Sequence, residues 1–156
     1  MATTLDTQMD QAMPVVAISN AAQEIWDCLV IGGGIAGSLA ARQISRLGLK
    51  TLLVEKQEFP RAKVCGSCLN QRGIDELQRV GLDSMLGQLG GRPTHRLVYT
   101  GFGRRIECAV PPGLALTRSV LDEALLEQAR ASGVEVIHEV VAQVLPTSPD
   151  AFTREV

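Results

Sequence analysis

Residues 26 to 37 read Trp26-Asp27-Cys28-Leu29-Val30-Ile31-Gly32-Gly33-Gly34-Ile35-Ala36-Gly37, an apolar run followed at once by closely spaced glycines. Several consecutive apolar residues are typical of a buried parallel strand. The glycines follow the spacing Gly-x-Gly-x-x-Gly. In this pattern the first glycine permits a tight turn, the second lets backbone amides approach a ligand, and the third lets the next helix lie close to the strand. The stretch therefore predicts a strand, a turn and the start of a helix.

The residues after the glycines extend this pattern. A helical pattern runs from Ser38 to Leu47, and a second apolar strand ends in Glu55. An acidic residue about twenty positions beyond such glycines binds ribose hydroxyls in dinucleotide sites, where the helix N-terminus holds the pyrophosphate. We therefore predict a dinucleotide site. The alternative is a glycine-rich turn in some other α/β domain, with Glu55 solvated at a strand end.

Composition limits the class of protein. The 156 residues suffice for one domain with a real core, and 46% hydrophobic and 21% charged residues are typical of a globular protein. A net charge of −2 without a basic stripe argues against nucleic-acid binding. The four cysteines are too few and too scattered for a secreted disulfide scaffold. We expect a cytoplasmic protein without a transmembrane segment, and leave association with a membrane surface open.

The chain divides into a leader and one domain. Residues 1–24 are polar and lack a sustained period, which predicts a disordered leader. Its short apolar run at residues 14–18 is not preceded by basic residues, so we do not interpret it as a secretory signal. Residues 25–156 form the predicted domain. Its first strand–helix–strand unit has strands at 25–31 and 51–55 and a helix at 35–47.

Later segments alternate between helical and extended patterns. An irregular basic loop spans 56–68, Asn70 is placed to cap a helix that ends near Val80, and a short helix covers 83–89. Strands at 95–100 and 104–110 predict a hairpin that ends at Pro111-Pro112-Gly113. A helix begins at Ser119, which with Asp122 has the spacing of a capping box. Strands at 134–137 and 140–145 and a turn at 146–156 complete the prediction.

Three stretches resemble the N-terminal part of the FAD-dependent oxidoreductases that have the glutathione-reductase type of nucleotide-binding fold. They are residues 27–56, residues 59–66 with Arg72-Gly73 beyond them, and residues 118–136 around Arg118, Leu121 and Asp122. Within that family the chain is most similar to the group of aromatic-ring hydroxylases and geranylgeranyl reductases. The string Lys63-Val64-Cys65-Gly66 is more similar to the prenyl reductases than to the flavin halogenases. The expected fold is therefore α/β and Rossmann-like, a parallel sheet with an inserted β-hairpin.

The resemblance implies FAD as the cofactor and a set of residues that bind it. The candidate cofactor-binding residues are Gly32, Gly34, Ile35, Ala36, Gly37, Glu55, Lys56, Arg61, Gly66 and Arg118. The glycines would surround the pyrophosphate, and Glu55 would bind the adenosine ribose. Arg61 and the loop to Gly66 would lie along the FAD, and Arg118 would contact the FAD from the start of its helix. A solvated surface position is the plain alternative for either arginine.

The resemblance also implies an activity. Such proteins take hydride from NAD(P)H and then reduce a prenyl double bond or activate oxygen for hydroxylation of an aromatic substrate, as flavoprotein reductases or monooxygenases. They carry a second phosphate-side Gly-Asp motif and a substrate-binding sheet later in a longer chain, and residues 134–156 hold neither. We therefore expect an N-terminal portion that holds the ADP half of FAD. An NAD-dependent Rossmann dehydrogenase and a non-catalytic nucleotide-binding fragment stay open as alternatives.

Cys65 and Cys68 form a Cys-x-x-Cys pair that allows three interpretations. A thioredoxin-like redox pair is the first, and half of a zinc site is the second, for which the chain offers only His95, His138 and distant cysteines as further ligands. The third, which we favour, is a loop cysteine beside the flavin and an unrelated cysteine at a helix start. No metal site is expected.

Overall fold

The structure is a computed structural model that describes residue 21, residues 23–146 and residue 156. The predicted leader at 1–24 lies almost wholly outside these residues, and so does most of the predicted turn at 146–156. Both therefore stay predictions, and so does the domain boundary at residue 25.

A three-stranded parallel sheet is built on the glycine stretch. Numbered along the chain, its strands are β1 (Cys28–Ile31), β2 (Thr51–Val54) and β6 (Glu135–Ile137), in the order β1-β2-β6. Helix α1 (Ile35–Arg46) connects β1 to β2, and helix α4 (Arg118–Ala131) precedes β6. The predicted strand–helix–strand unit and the α/β class are confirmed. The first strand begins three residues later than predicted.

Strand β2 lies in the middle of this sheet and is buried on both faces. Leu53 points to one face, where it packs against Ala41 of α1 and Leu126 of α4. Leu52 points to the opposite face and packs against Ile137. Full burial of a leucine side chain stabilises a fold by about 1.5–3 kcal/mol. Because both faces are covered, the sequence of β2 is apolar without alternation.

A second core lies beside the sheet. Helix α2 (Gln71–Arg79) begins where predicted, since Oδ1 of Asn70 accepts a hydrogen bond from the Gly73 amide at 2.9 Å. Helix α3 (Asp83–Gln88) follows it. The buried side chains that these helices and their connection share with α4 are Leu77, Leu82, Met85, Leu86, Leu121 and Leu125. This core fixes α4 against the rest of the domain, and α4 carries one of the candidate site residues.

The predicted hairpin is present and is longer than expected. Its strands are β4 (Arg92–Gly101) and β5 (Arg104–Ala115), and the short strand β3 (Cys68–Asn70) pairs with the other side of β5. The prediction that Pro111-Pro112-Gly113 ends the hairpin is wrong. Between the pairs Arg96–Ala109 and Thr94–Gly113, one residue of β4 opposes three of β5, and both prolines lie in this irregularity. Proline is tolerated there because no ladder amide is required.

The strand predicted at 140–145 is also wrong, since these residues adopt no regular secondary structure. Their apolar composition suits a strand, but a strand forms only by pairing. Within the described residues none pairs with this segment. Instead the amide of Val140 donates to the carbonyl oxygen of Glu55 at 3.2 Å, and Val140 and Ala142 pack against the sheet. The segment therefore lies beside the carboxyl end of β2.

Candidate functional site

The glycine turn between β1 and α1 has the geometry that its spacing predicts. Gly32 has φ of +101°, which favours glycine, and its amide donates to the carbonyl oxygen of Val54 at 2.8 Å. A Cβ at Gly37 would overlap the carbonyl oxygen of Gly32. Only glycine therefore allows α1 to approach the end of β1 so closely.

The N-terminus of α1 presents backbone donors to a cleft. In the part of the chain that the structure describes, no hydrogen bond occupies the amides of residues 34–37, and no side chain caps the helix at Gly34. These amides and the positive end of the helix dipole attract an anion. The turn is therefore built to bind a phosphate group.

Glu55 follows β2 and faces this turn. Its side chain is 4% exposed, Oε2 accepts from the Gly33 amide at 2.7 Å, and Oε1 accepts from the Gln57 amide at 3.0 Å. Each carboxylate oxygen offers two acceptor positions. One position on each oxygen stays available after these bonds, so the fixed carboxylate can still accept from a ligand hydroxyl.

Two arginines from distant parts of the sequence meet above Gly34. A Cβ at Gly34 would lie 3.3 Å from Nη2 of Arg61 and 3.9 Å from Nη2 of Arg118. Nη2 of Arg61 is 3.7 Å from Oε2 of Glu55, and its buried Nε has no hydrogen-bond partner among the described residues. A buried donor without a partner is costly, and a ligand oxygen would satisfy it.

Arg118 is held by a carboxylate on its own helix. Its Nε and Nη2 donate to the two oxygens of Asp122 at 2.7 and 2.9 Å. Hydrogen bonding to Asp122 raises the pKa of Arg118 above its ordinary value, so this guanidinium stays charged. The predicted capping box of Ser119 and Asp122 is therefore wrong, because α4 starts at Arg118 after Thr117 and Asp122 binds the arginine instead.

These groups line a single cleft of about 670 Å³ at the carboxyl end of β1 and β2. Nine of the ten candidate residues lie on it, and Gly66 does not. The full lining is Ile31, Gly32, Gly34, Ile35, Ala36, Gly37, Val54, Glu55, Lys56, Arg61, Lys63, Arg118, Val140, Val141 and Ala142. The cleft combines donors for an anion with an apolar wall that includes residues 140–142.

Sequence reasoning missed three parts of this site. Lys63 lies on the cleft, whereas the resemblance implies only that its loop lies along the FAD and gives Lys63 no role of its own. For residues 140–142 the sequence predicts a strand and gives no sign of their place in the wall of the cleft. For Asp122 the sequence predicts a cap, but its spacing of four residues from Arg118 is also the spacing of a helical ion pair, which is the signal for the observed contact.

The cysteine pair lies outside the lining of the cleft. Cys65 and Cys68 are free and exposed, and Sγ of Cys65 accepts from the Ser67 amide at 3.1 Å. Cys68 belongs to β3 rather than to a helix start. Among the described residues, no group of three or more histidine, cysteine, aspartate or glutamate side chains is arranged to hold a metal ion.

Comparison with known proteins identifies relatives of this site. The FAD binding domain family matches residues 26–152. The chain is 34% identical over 117 residues to the menaquinone reductase of Mycolicibacterium smegmatis, a match that covers 71% of this chain and 28% of that protein. It is 30% identical over 132 residues to the digeranylgeranylglycerophospholipid reductase of Sulfolobus acidocaldarius. This match covers 83% of this chain and 28% of that protein.

A solved structure agrees with these matches. The flavoprotein/dehydrogenase from Cytophaga hutchinsonii aligns with a TM-score of 0.68 at 28% identity, covering 78% of this chain and 32% of that one. The chain therefore spans less than a third of the length of each of these three proteins.

Proposed function

We propose that this chain, which belongs to the FAD binding domain family, holds the ADP half of FAD in the cleft at its glycine turn. The observation that supports the proposal is the meeting of three kinds of group in one cleft. They are the amides of residues 34–37, which have no hydrogen-bond partner among the described residues, the buried carboxylate of Glu55, and the guanidinium groups of Arg61 and Arg118. Together they match a diphosphate joined to a ribose.

The diphosphate would lie against the α1 N-terminus. Its oxygens would accept from the amides of residues 34–37 and from the two guanidinium groups above Gly34. The unpartnered Nε of Arg61 fits this assignment, since a phosphate oxygen would supply its missing acceptor. The close approach of the ligand to the backbone would require the absence of a side chain at Gly34.

The ribose and the adenine would occupy the part of the cleft that is lined by Glu55 and residues 140–142. Glu55 would accept hydrogen bonds from the ribose hydroxyls, and its negative charge would disfavour a ribose that carries a 2′-phosphate. The apolar wall of Val140, Val141 and Ala142 would contact the adenine ring. Apolar walls with a few fixed polar groups are typical of cofactor sites.

The reaction of the whole protein is a further part of the proposal. Bound FAD supplies hydride-transfer chemistry, and the protein's contribution here is to bind and orient it. Two relatives are named reductases, one of menaquinone and one of a geranylgeranyl lipid. We propose that the full reaction reduces an isoprenoid lipid with NAD(P)H as the electron donor. Oxygen activation, as in a monooxygenase, is the alternative.

Isothermal titration calorimetry of the full chain tests the cofactor assignment. We expect FAD and ADP to bind, and NADH to bind more weakly than FAD. The Glu55→Gln variant removes the charged acceptor, so its affinity for FAD should fall about tenfold or more. Glu58→Gln, in the exposed part of the same loop, is the control. Binding of NADH without FAD would favour the dehydrogenase alternative, and an unchanged Glu55→Gln affinity would contradict the ribose assignment.

We propose the cytoplasm as the location, because all four cysteines are free, which suits a reducing compartment. Separately, within the residues that the structure describes, no helix has both the length and the apolar character that a membrane crossing requires.

A further inference from the structure

We infer that Asp122 is the positioning residue of the diphosphate site, an inference that rests on the proposed function. Asp122 is completely buried, one helical turn beyond Arg118 on α4. A carboxylate at this depth is costly unless it is paired. Both of its oxygens accept from Arg118, at 2.7 and 2.9 Å, in the two-pronged geometry that orients a guanidinium most strongly. Asp122 therefore determines where the head of Arg118 lies.

The same carboxylate also lies next to the second arginine. Oδ2 of Asp122, which accepts from Nη2 of Arg118, is 3.6 Å from Nη2 of Arg61. One oxygen thus lies between two guanidinium groups that both reach the space above Gly34. Without a negative charge between them, these two cations would repel each other at short range. Asp122 allows both to occupy one site before any ligand arrives.

The position of Asp122 relative to the cleft supports a positioning role rather than ligand contact. Asp122 is absent from the cleft lining, whereas Arg61 and Arg118 are part of it. A diphosphate at the amides of residues 34–37 would therefore meet the guanidinium groups before it met the carboxylate. Arg118, at hydrogen-bond distance, neutralises the charge of Asp122. The repulsion between Asp122 and a bound diphosphate should therefore be smaller than the gain in affinity from the oriented arginines.

The Asp122→Asn variant separates this role from a structural one. It keeps the shape of the side chain and removes the charge that orients Arg118. We expect the affinity for ADP to fall about tenfold, from the cost of ordering a freed arginine on binding. The affinity for adenosine, which lacks the diphosphate, should stay unchanged. In an Arg118→Gln background the Asp122→Asn change should weaken ADP binding less than it does in the wild type, because only the contact of Asp122 with Arg61 is then left to lose.

The control is Glu127→Gln. Glu127 also lies on α4 and pairs with an arginine, Arg130, at 2.5 Å, but it is 57% exposed and is not part of the cleft lining. This variant should bind ADP and adenosine like the wild type.

Each result of the calorimetric titrations has a distinct meaning. If the wild-type chain binds ADP no more tightly than adenosine, the proposed diphosphate site itself fails. If the wild type prefers ADP and Asp122→Asn binds ADP equally or more tightly, the diphosphate site stands and the positioning role is overturned. Equal losses for ADP and adenosine would assign Asp122 a purely structural role and overturn the inference as well.

Discussion

Each glycine of the turn is required for a different physical reason. Gly32 needs a positive φ, Gly34 leaves room beneath two guanidinium groups, and Gly37 avoids the carbonyl oxygen of Gly32. The requirement for glycine is strictest at Gly37, because the atom that a Cβ would meet belongs to the backbone and cannot rotate away. The side chains over Gly34 are flexible and can yield.

Gly37→Ala should therefore destabilise the fold. Overpacking typically costs about 1–3 kcal/mol, and this overlap with backbone places the effect at or above the upper end. Chemical denaturation would measure the loss, and FAD affinity should fall as well because α1 must shift. Gly87→Ala is the matched control, since a Cβ there meets no atom within 4 Å. Equal stability of the two variants would refute the close approach of α1 to β1.

Elements of the fold depend on a few polar contacts at their ends. The Asn70 side chain caps α2, and α2 carries Leu77 into the core that fixes α4. Replacement of a capping Asn, Asp or Ser by Ala lowers the stability of the fold by about 0.5–2 kcal/mol. A local contact at the start of one helix thus supports the helix that holds Arg118.

Asn70→Ala should lower the free energy of unfolding by about 1 kcal/mol. Asn70→Asp should retain most of the stability, because a carboxylate accepts from the Gly73 amide in the same geometry. Urea denaturation with a constant m-value would check both. A stability loss that is as large for Asn70→Asp as for Asn70→Ala would show that the cap is not the reason.

The turn after β6 contains a histidine with a shifted proton affinity. Burial lowers the pKa of His138 below its ordinary value of 6.5, and the positive charge of Arg130 lowers it further. The backbone of Gln57 and the charges of Glu55 and Glu127 act in the opposite direction and are outweighed. His138 also lies against the Phe59 ring, with 5.8 Å between ring centroids.

The stabilisation linked to His138 should be lost in acid. The unfolded chain binds the proton at a higher pH than the folded chain does. The stabilisation is therefore complete above pH 6.5 and declines as the pH falls from 6.5 toward the lower pKa of the folded state. His138→Gln should flatten the dependence of the unfolding midpoint on pH in this window. Identical profiles for His138→Gln and the wild type would contradict the shift.

At the scale of the whole molecule, the chain combines two sheets with different surroundings. The parallel sheet is covered on both faces and carries the cleft. The antiparallel hairpin is largely exposed, and its apolar side chains include Tyr99 at 61% and Phe102 at 109% exposure. A ligand in the cleft should therefore stabilise the two parts unequally.

Saturating FAD should protect the parallel sheet from hydrogen exchange but should not protect the tip of the β4–β5 hairpin. At a free concentration of about 100 times Kd, binding adds about 2.7 kcal/mol to the free energy of unfolding. Hydrogen exchange should slow in β1, β2 and the first turn of α1. It should not slow at the β4–β5 turn around Phe102, which lies away from the cleft lining. Uniform protection of both sheets would contradict the proposed location of the ligand.

The sequence by itself determined the strand–helix–strand unit, the glycine turn and the place of Glu55. These features depend on residues within one supersecondary unit, where a fixed spacing and the backbone geometry set the distances. The resemblance to FAD-dependent oxidoreductases is confirmed by the family match at residues 26–152. The prediction that Asn70 caps a helix is also confirmed. A cap joins residues only three positions apart, so local sequence is enough to predict it.

Only the tertiary structure decided which distant residues meet. Arg61 and Arg118 are far apart in sequence, and the packing of α4 on the core brings Arg118 to Gly34, where it meets Arg61 of the loop after β2. Whether Asp122 caps a helix or holds an arginine depends on where that arginine must lie. The sequence-based prediction is wrong at the prolines of β5 and at the apolar segment 140–145 for the same reason, since strand pairing is a long-range contact that local composition does not encode.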